Sequence, residues 1–204
     1  MEYPDIAPRM KEIGAAPNKR SDGSVIYTLP VLRDPNTSAV ITDSFDIAVY
    51  LDNTYPEKPV LPEDAKGLIS VIETALYYQF MLAYPFLVMR GVEILKKPSA
   101  DFYTTTREKA FNKKLAEFSP VGPERDQHWV ITERTLATVK TWYDKTEGKW
   151  LMGKTFSHAD IIVATGIFCL KKVLHEDEWE RMAAWHDGQW ARLLADVESE
   201  CNMV

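Results

Sequence analysis

Residues 28–51 read TLPVLRDPNTSAVITDSFDIAVYL. Pro30-Val31-Leu32-Arg33 and Ala39-Val40-Ile41-Thr42 are short runs rich in β-branched residues, and Asp34-Pro35-Asn36-Thr37-Ser38 between them are all turn formers. Two extended runs joined by five such residues predict a β-hairpin. Asp43 or Ser44 then caps a helix running towards Tyr55, because a side-chain oxygen there satisfies a free amide of the first turn. Ile47, Ala48, Tyr50 and Leu51 share one face of that helix, and Asn53 and Pro56 stop it. Upstream, Val25-Ile26-Tyr27 reads as extended, and Tyr3 to Gly14 as a short helix with Pro4 tolerated in its first turn.

Beyond the Pro59–Pro62 link the pattern is helical throughout. The stretch from Glu63 to Leu95 predicts one long apolar helix kinked near Pro85. Ser99 to Phe118 is amphipathic, and Pro123 to Lys145 sets Trp129, Leu136, Val139 and Tyr143 on one face. Residues 161–170 are apolar almost all round, which predicts the central buried helix of a bundle, with Cys169 as a small buried hydrophobe. Trp190, Leu193, Leu194 and Val197 form a stripe at i, i+3, i+4, i+7. The predicted order is a small α+β unit, residues 1–58, followed by an all-helical unit, residues 63–204, of about five or six helices.

Composition removes several function classes. Of 204 residues, 46% are hydrophobic and 26% charged, with 9 Gly and 12 Pro, which excludes disordered and collagen-like chains. The charge is −6, with no basic cluster beyond the pairs Lys113-Lys114 and Lys171-Lys172. Nucleic acid and anionic membranes are therefore not expected partners. Met1-Glu2-Tyr3-Pro4 has neither the basic nor the apolar region of a secretory signal, and two cysteines make no disulfide framework. A reducing, cytoplasmic location is the expectation. The stretch from Thr74 to Met89 is too short to span a bilayer.

Three motifs compete for chemistry. Gly148-Lys149-Trp150-Leu151-Met152-Gly153-Lys154-Thr155 matches the phosphate-loop pattern. A phosphate loop follows a strand and opens directly into a helix, whereas this one follows a helix and precedes a helix that starts only at Ser157. It reads as a helix–helix loop with Gly153 at positive φ. Ser157-His158-Ala159-Asp160 is a capping box, with Ser157 at the N-cap and Asp160 in the third helical position. It is structural, and His158 reads as a solvated or internally satisfied histidine. The other histidines, His128, His175 and His186, show no metal spacing. Pro30 at a strand entry is trans on its residue type alone, since only about 5–6% of X-Pro bonds are cis in folded proteins. Asp43-Ser44 reads first as a cap, and second as an anion site at a helix N-terminus.

Taken in order, Thr28-Leu29-Pro30-Val31-Leu32, the hairpin, Asp43-Ser44-Phe45-Asp46-Ile47-Ala48-Val49-Tyr50-Leu51 and Phe156-Ser157-His158-Ala159-Asp160-Ile161 resemble a glutathione transferase. The wording of Tyr3-Pro4-Asp5-Ile6 and of residues 157–164 is most similar to fungal members of the etherase-like and ustiloxin-cluster-like groups. The resemblance covers essentially the whole chain. It implies a thioredoxin-like domain followed by an all-helical domain, glutathione as co-substrate, a hydrophobic small molecule as acceptor, and a homodimer. It implies that Pro30 is a cis-proline shaping the glutathione site and that Leu29 pairs its main chain with the cysteinyl part. Ser44 takes the γ-glutamyl carboxylate on the same reading, and Asp43 faces the γ-glutamyl ammonium. Tyr77, Tyr78 and Tyr84 are acceptor-pocket candidates, and Ser157 and Asp160 are folding residues.

The family activates the glutathione thiol with a Ser, Cys or Tyr near its first strand. Tyr3-Pro4-Asp5-Ile6 resembles the stretch after the second strand, so the expectation is a shortened thioredoxin-like domain lacking its first β-α-β portion. No residue is nominated as catalytic. The intact form is expected to transfer glutathione to a hydrophobic electrophile, or to cleave one with it, and this chain to be inactive. The alternative is a non-catalytic glutathione-binding or protein-interaction module on the same scaffold.

Overall fold

In a computed structural model, which describes residues 1–20 and 22–201, the hairpin and capped helix form as their residues dictate. A short 3₁₀ turn, Tyr3–Asp5, leads into α1 (Ile6–Glu12). Strands β1 (Asn18–Lys19) and β2 (Val25–Ile26) pair antiparallel as one ladder. Strands β3 (Val31–Arg33) and β4 (Val40–Thr42) pair antiparallel as a second, in the register Val31↔Thr42, Leu32↔Ile41, Arg33↔Val40. Helix α2 (Ser44–Thr54) follows at once, with Asp43 as its N-cap accepting the Phe45 amide at 2.9 Å.

Seven further α-helices follow among the described residues: α3 (Lys66–Met81), α4 (Tyr84–Arg90), α5 (Lys97–Phe111), α6 (Pro123–Tyr143), α7 (His158–Val173), α8 (Glu176–Ala183) and α9 (Trp185–Cys201). The long apolar segment expected from Glu63 to Leu95 is two helices, bent by 66°. The break falls at Leu82-Ala83, and Pro85 lies in the first turn of α4, where a missing N–H costs nothing. Among the described residues no single helix is long and apolar enough to cross a membrane. Asn112, in the left-handed region at φ 48°, ends α5 before Phe118, where the sequence had suggested a longer helix.

Helix α7 is the centre. Ala159, Val163, Ile167 and Leu170 on its inner face are at most 1% exposed and pack with Ile69 and Leu76 of α3, Phe86 of α4, and Trp190 and Leu193 of α9. Gly166 has a packing reason, because a Cβ there would stand 2.4 Å from Cζ of Phe80 on α3. The expectation that α7 is buried all round fails on its other side. Thr165, Phe168 and Cys169 face outward, and Cys169 is an exposed free thiol. Three inward positions per two turns already fill the core, which leaves the outer residues without a partner helix.

The phosphate-loop look-alike is a folded-over loop. Trp150 and Gly153 exchange main-chain hydrogen bonds at 3.0 and 2.9 Å, so those amides are spent internally. Trp150 and Leu151 are core residues at 3% and 9% exposure. Gly153 has φ +72°, and a Cβ on Gly148 would sit 2.3 Å from the Gly153 carbonyl. Both glycines serve the turn.

Asp160 fixes this region. Its fully buried carboxylate accepts from the Leu151 amide (2.8 Å), the Ser157 amide (3.0 Å), the Ser157 hydroxyl (3.0 Å) and the Tyr143 hydroxyl (3.1 Å). Burial pushes the carboxyl up, and these donors pull it back. The capping box thus joins α6, the loop and α7 rather than only starting a helix. Asp160→Ala strands four donors in the core and is expected to destabilise the chain by about 3–5 kcal/mol, read from the urea midpoint. Ser157→Ala, which removes one hydroxyl, is expected to cost only about 1 kcal/mol.

Candidate functional site

An antiparallel hairpin sets the residues before its first strand beside those after its second. With Val31 opposite Thr42, the ladder brings Leu29-Pro30 next to Asp43-Ser44. The Leu29-Pro30 bond is cis, as the glutathione transferase resemblance implies and against the trans expectation from residue type. Leu29 precedes the ladder and is half exposed, so its main chain is outside the β3–β4 pairing.

Asp43 combines φ +85° and ψ 136°, a backbone conformation that L residues rarely adopt, with the capping bond to Phe45. Ser44 is the first residue of α2, at the positive end of the helix dipole. Its hydroxyl donates to Glu73 of α3 at 3.4 Å. Burial, and then the Asp43 and Asp46 carboxylates, raise Glu73 above the ordinary glutamate value.

Two buried side chains at this corner have surroundings that the sequence did not show. Asp34, read there only as a turn former, is buried at 5% exposure. Its carboxylate accepts from the Tyr50 hydroxyl at 2.6 Å, the Tyr55 hydroxyl at 2.7 Å and the Asn36 amide at 2.8 Å, tying the hairpin turn to α2. The two phenols, first among its donors, lower it to about 2. His158, expected to be solvated or satisfied, is 6% exposed with Nε2 unpaired. Its ring meets Phe45 edge to face at 5.9 Å.

A cleft of 1110 Å³ opens beside Leu29, walled by Tyr3, Ile6, Tyr27, Phe102 and Arg107 among others. The three tyrosines expected around an acceptor do not line it. Tyr77 and Tyr78 stand on the outer face of α3, 61% and 67% exposed, with their rings edge to face at 5.6 Å. Tyr84 packs on Phe111, where burial pushes its phenol up and the Arg107 guanidinium beside it opposes the shift. Arg107 in turn lies 4.5 Å from the Tyr103 ring centroid and 5.8 Å from that of Tyr3.

Comparison with known proteins identifies the family. The family model for the glutathione S-transferase C-terminal domain matches residues 68–199. The chain is 26% identical to the glutathione S-transferase-like protein ustS of Aspergillus flavus, over 92% of this chain and 75% of that protein. Two Ceriporiopsis subvermispora glutathione S-transferases, each crystallised in complex with glutathione, superpose on it. CsGST83044 has a TM-score of 0.90 at 36% identity, covering 98% of this chain and 83% of its own. CsGST63524 has a TM-score of 0.91 at 34% identity, covering 100% and 83%. The chain therefore belongs to the glutathione S-transferase family. Its fold is the family's, a thioredoxin-like part carrying β3, β4 and α2 followed by a helical part.

The Asp34 network gives a signed pH prediction. Its folded value lies below the ordinary 3.8, so its stabilisation is complete above 3.8 and is lost as pH falls through about 2. The stability gap between the parent and Asp34→Asn, read by denaturant titration at several pH values, is expected to be full at neutral pH and to close in that acid window.

Proposed function

We propose that this chain binds glutathione along Leu29, Pro30, Asp43 and Ser44, as a glutathione transferase-like protein whose intact form acts on a hydrophobic electrophile. The supporting observation is the hairpin register that brings the Leu29-Pro30 segment to the N-terminus of α2, in a chain so similar to proteins crystallised with glutathione. The roles follow the chemistry of the tripeptide. The Leu29 amide and carbonyl pair with the cysteinyl main chain in strand fashion. The Ser44 hydroxyl and the free amides of α2 take the γ-glutamyl carboxylate, and Asp43 takes its ammonium. The acceptor lies in the cleft beside Leu29. Of the three tyrosines proposed for the acceptor pocket, Tyr84 keeps a part through its contact with Arg107, while Tyr77 and Tyr78 sit away from that lining.

In the reaction the thiol gives up its proton, sulfur bonds to the electrophilic carbon, and the leaving group departs. A hydrogen bond to the sulfur that favours the thiolate is required. Leu29, Pro30, Asp43 and Ser44 are assigned to binding and not to that hydrogen bond, and on this reading the chain holds glutathione with little turnover, transfer or ether cleavage belonging to a form that supplies the donor. The second reading, a non-catalytic glutathione-binding or interaction module, shares the binding site and differs only in lacking turnover. Residues 1–58 and 63–204 are the proposed domains. A homodimer fits the apolar stripe Leu68, Val71 and Tyr78 along α3, continued by Leu82 at its C-cap, each at least half exposed. A cytoplasmic location fits the free thiols Cys169 and Cys201.

Calorimetric titration of the 204-residue chain with glutathione is expected to show saturable binding, and Ser44→Ala to weaken it about tenfold. No binding by the parent chain would contradict the proposal. Conjugation of a generic aromatic electrophile is expected to stay near background, and robust turnover would overturn the statement about activation.

A further inference from the structure

Between the two parts of the molecule, one polar side chain is buried with its ring nitrogen unpaired and takes no part in the proposed chemistry. His158 is the first residue of α7, and its backbone N–H donates to the Val60 carbonyl at 2.8 Å. Val60 and its neighbour Leu61 donate their own amides to the Asp52 carboxylate of α2, at 3.1 and 2.7 Å. The ring of His158 meets the edge of Phe45, the residue directly after Ser44. The linker thus meets the backbone of His158, and the start of α2 meets its ring through Phe45.

Packing makes this contact directional. Phe45 cannot rotate toward α7 without striking the imidazole, and the amide of Phe45 is the one that Asp43 caps. The ring behind Phe45 thus limits how far the Phe45 amide, and with it the Asp43 cap, can shift, while the Ser44 hydroxyl is held separately by Glu73. We propose that His158 is a positioning residue for the glutathione site, acting through Phe45 on the Asp43-Ser44 end of α2. This rests on the reading of Asp43 and Ser44 as glutathione-binding residues.

The same geometry makes the site acid-sensitive. Burial holds the imidazole below its ordinary value, with the Asp43 and Asp52 carboxylates opposing the shift. Asp43, the N-cap of α2, and Asp52 within it are the charged groups acting on it, and Glu73 of α3 faces Ser44. The neutral ring is the folded form. Below the ordinary value of 6.5 the unfolded chain takes up the proton more readily than the folded one, so stability falls as pH drops. A proton on His158 would place a buried cation near Asp43 and compete with the Phe45 amide for its carboxylate.

The test uses the 204-residue chain with His158→Phe, which fills the space without titrating, and His158→Ala, which does not. Amide hydrogen exchange at residues 44–48, followed without glutathione, is expected to be parent-like in His158→Phe and about tenfold faster in His158→Ala. Glutathione titrations stepped downward from about pH 7 are expected to show the parent weakening several-fold at some pH below 6.5, and His158→Phe losing that step. Unchanged α2 exchange in His158→Ala, or the same acid step in His158→Phe, would overturn the proposal. Failure of the parent to bind glutathione would instead sink the functional reading, leaving the exchange result to decide the positioning role.

Discussion

A single buried carboxylate, Asp160, is the constraint on which the arrangement rests. It takes donors from α6, from the 148–155 loop and from the N-cap of α7, and each would be orphaned in the core without it. Because the carboxylate fixes where α7 begins, it also fixes where His158 stands. His158 stands against Phe45, and Phe45 follows Ser44. The capping motif and the proposed glutathione corner are thus consecutive links in one mechanical chain, although more than 110 residues separate them in sequence.

A second chain of contacts reaches the same corner from the hairpin. Asp34 gathers the hydroxyls of Tyr50 and Tyr55 and so holds the β3–β4 turn against α2. One carboxylate anchors the far end of the hairpin, and the other sets the helix behind its near end. The corner between Leu29 and Ser44 is pre-organised from both sides, which lowers the ordering cost of binding a flexible tripeptide.

Much of this was legible in the sequence. The hairpin, the capped helix and the Ser157–Asp160 box declare themselves through turn residues, β-branched runs and a cap followed by an apolar run. Their order carried the family resemblance, and with it the cis bond before Pro30, which residue type alone argues against. What was not legible depends on distant partners. Asp34 looks like any turn aspartate until Tyr50 and Tyr55 are folded over it. His158 looks like a cap neighbour until Phe45 arrives from across the chain. The outward turn of Cys169 was hidden because an all-apolar stretch does not say which side lacks a neighbour. The break at Leu82-Ala83 was misplaced to Pro85 because proline is tolerated in a first turn.

The central claim is that glutathione lies along the corner made by Leu29-Pro30 and the start of α2. Backbone amide chemical-shift mapping of the isotope-labelled chain during a glutathione titration tests it most directly. The account predicts saturable shifts concentrated at Leu29, Ser44 and Phe45, with the α6–α9 core unmoved. Shifts absent from those three amides, or concentrated in the helical part, would contradict it.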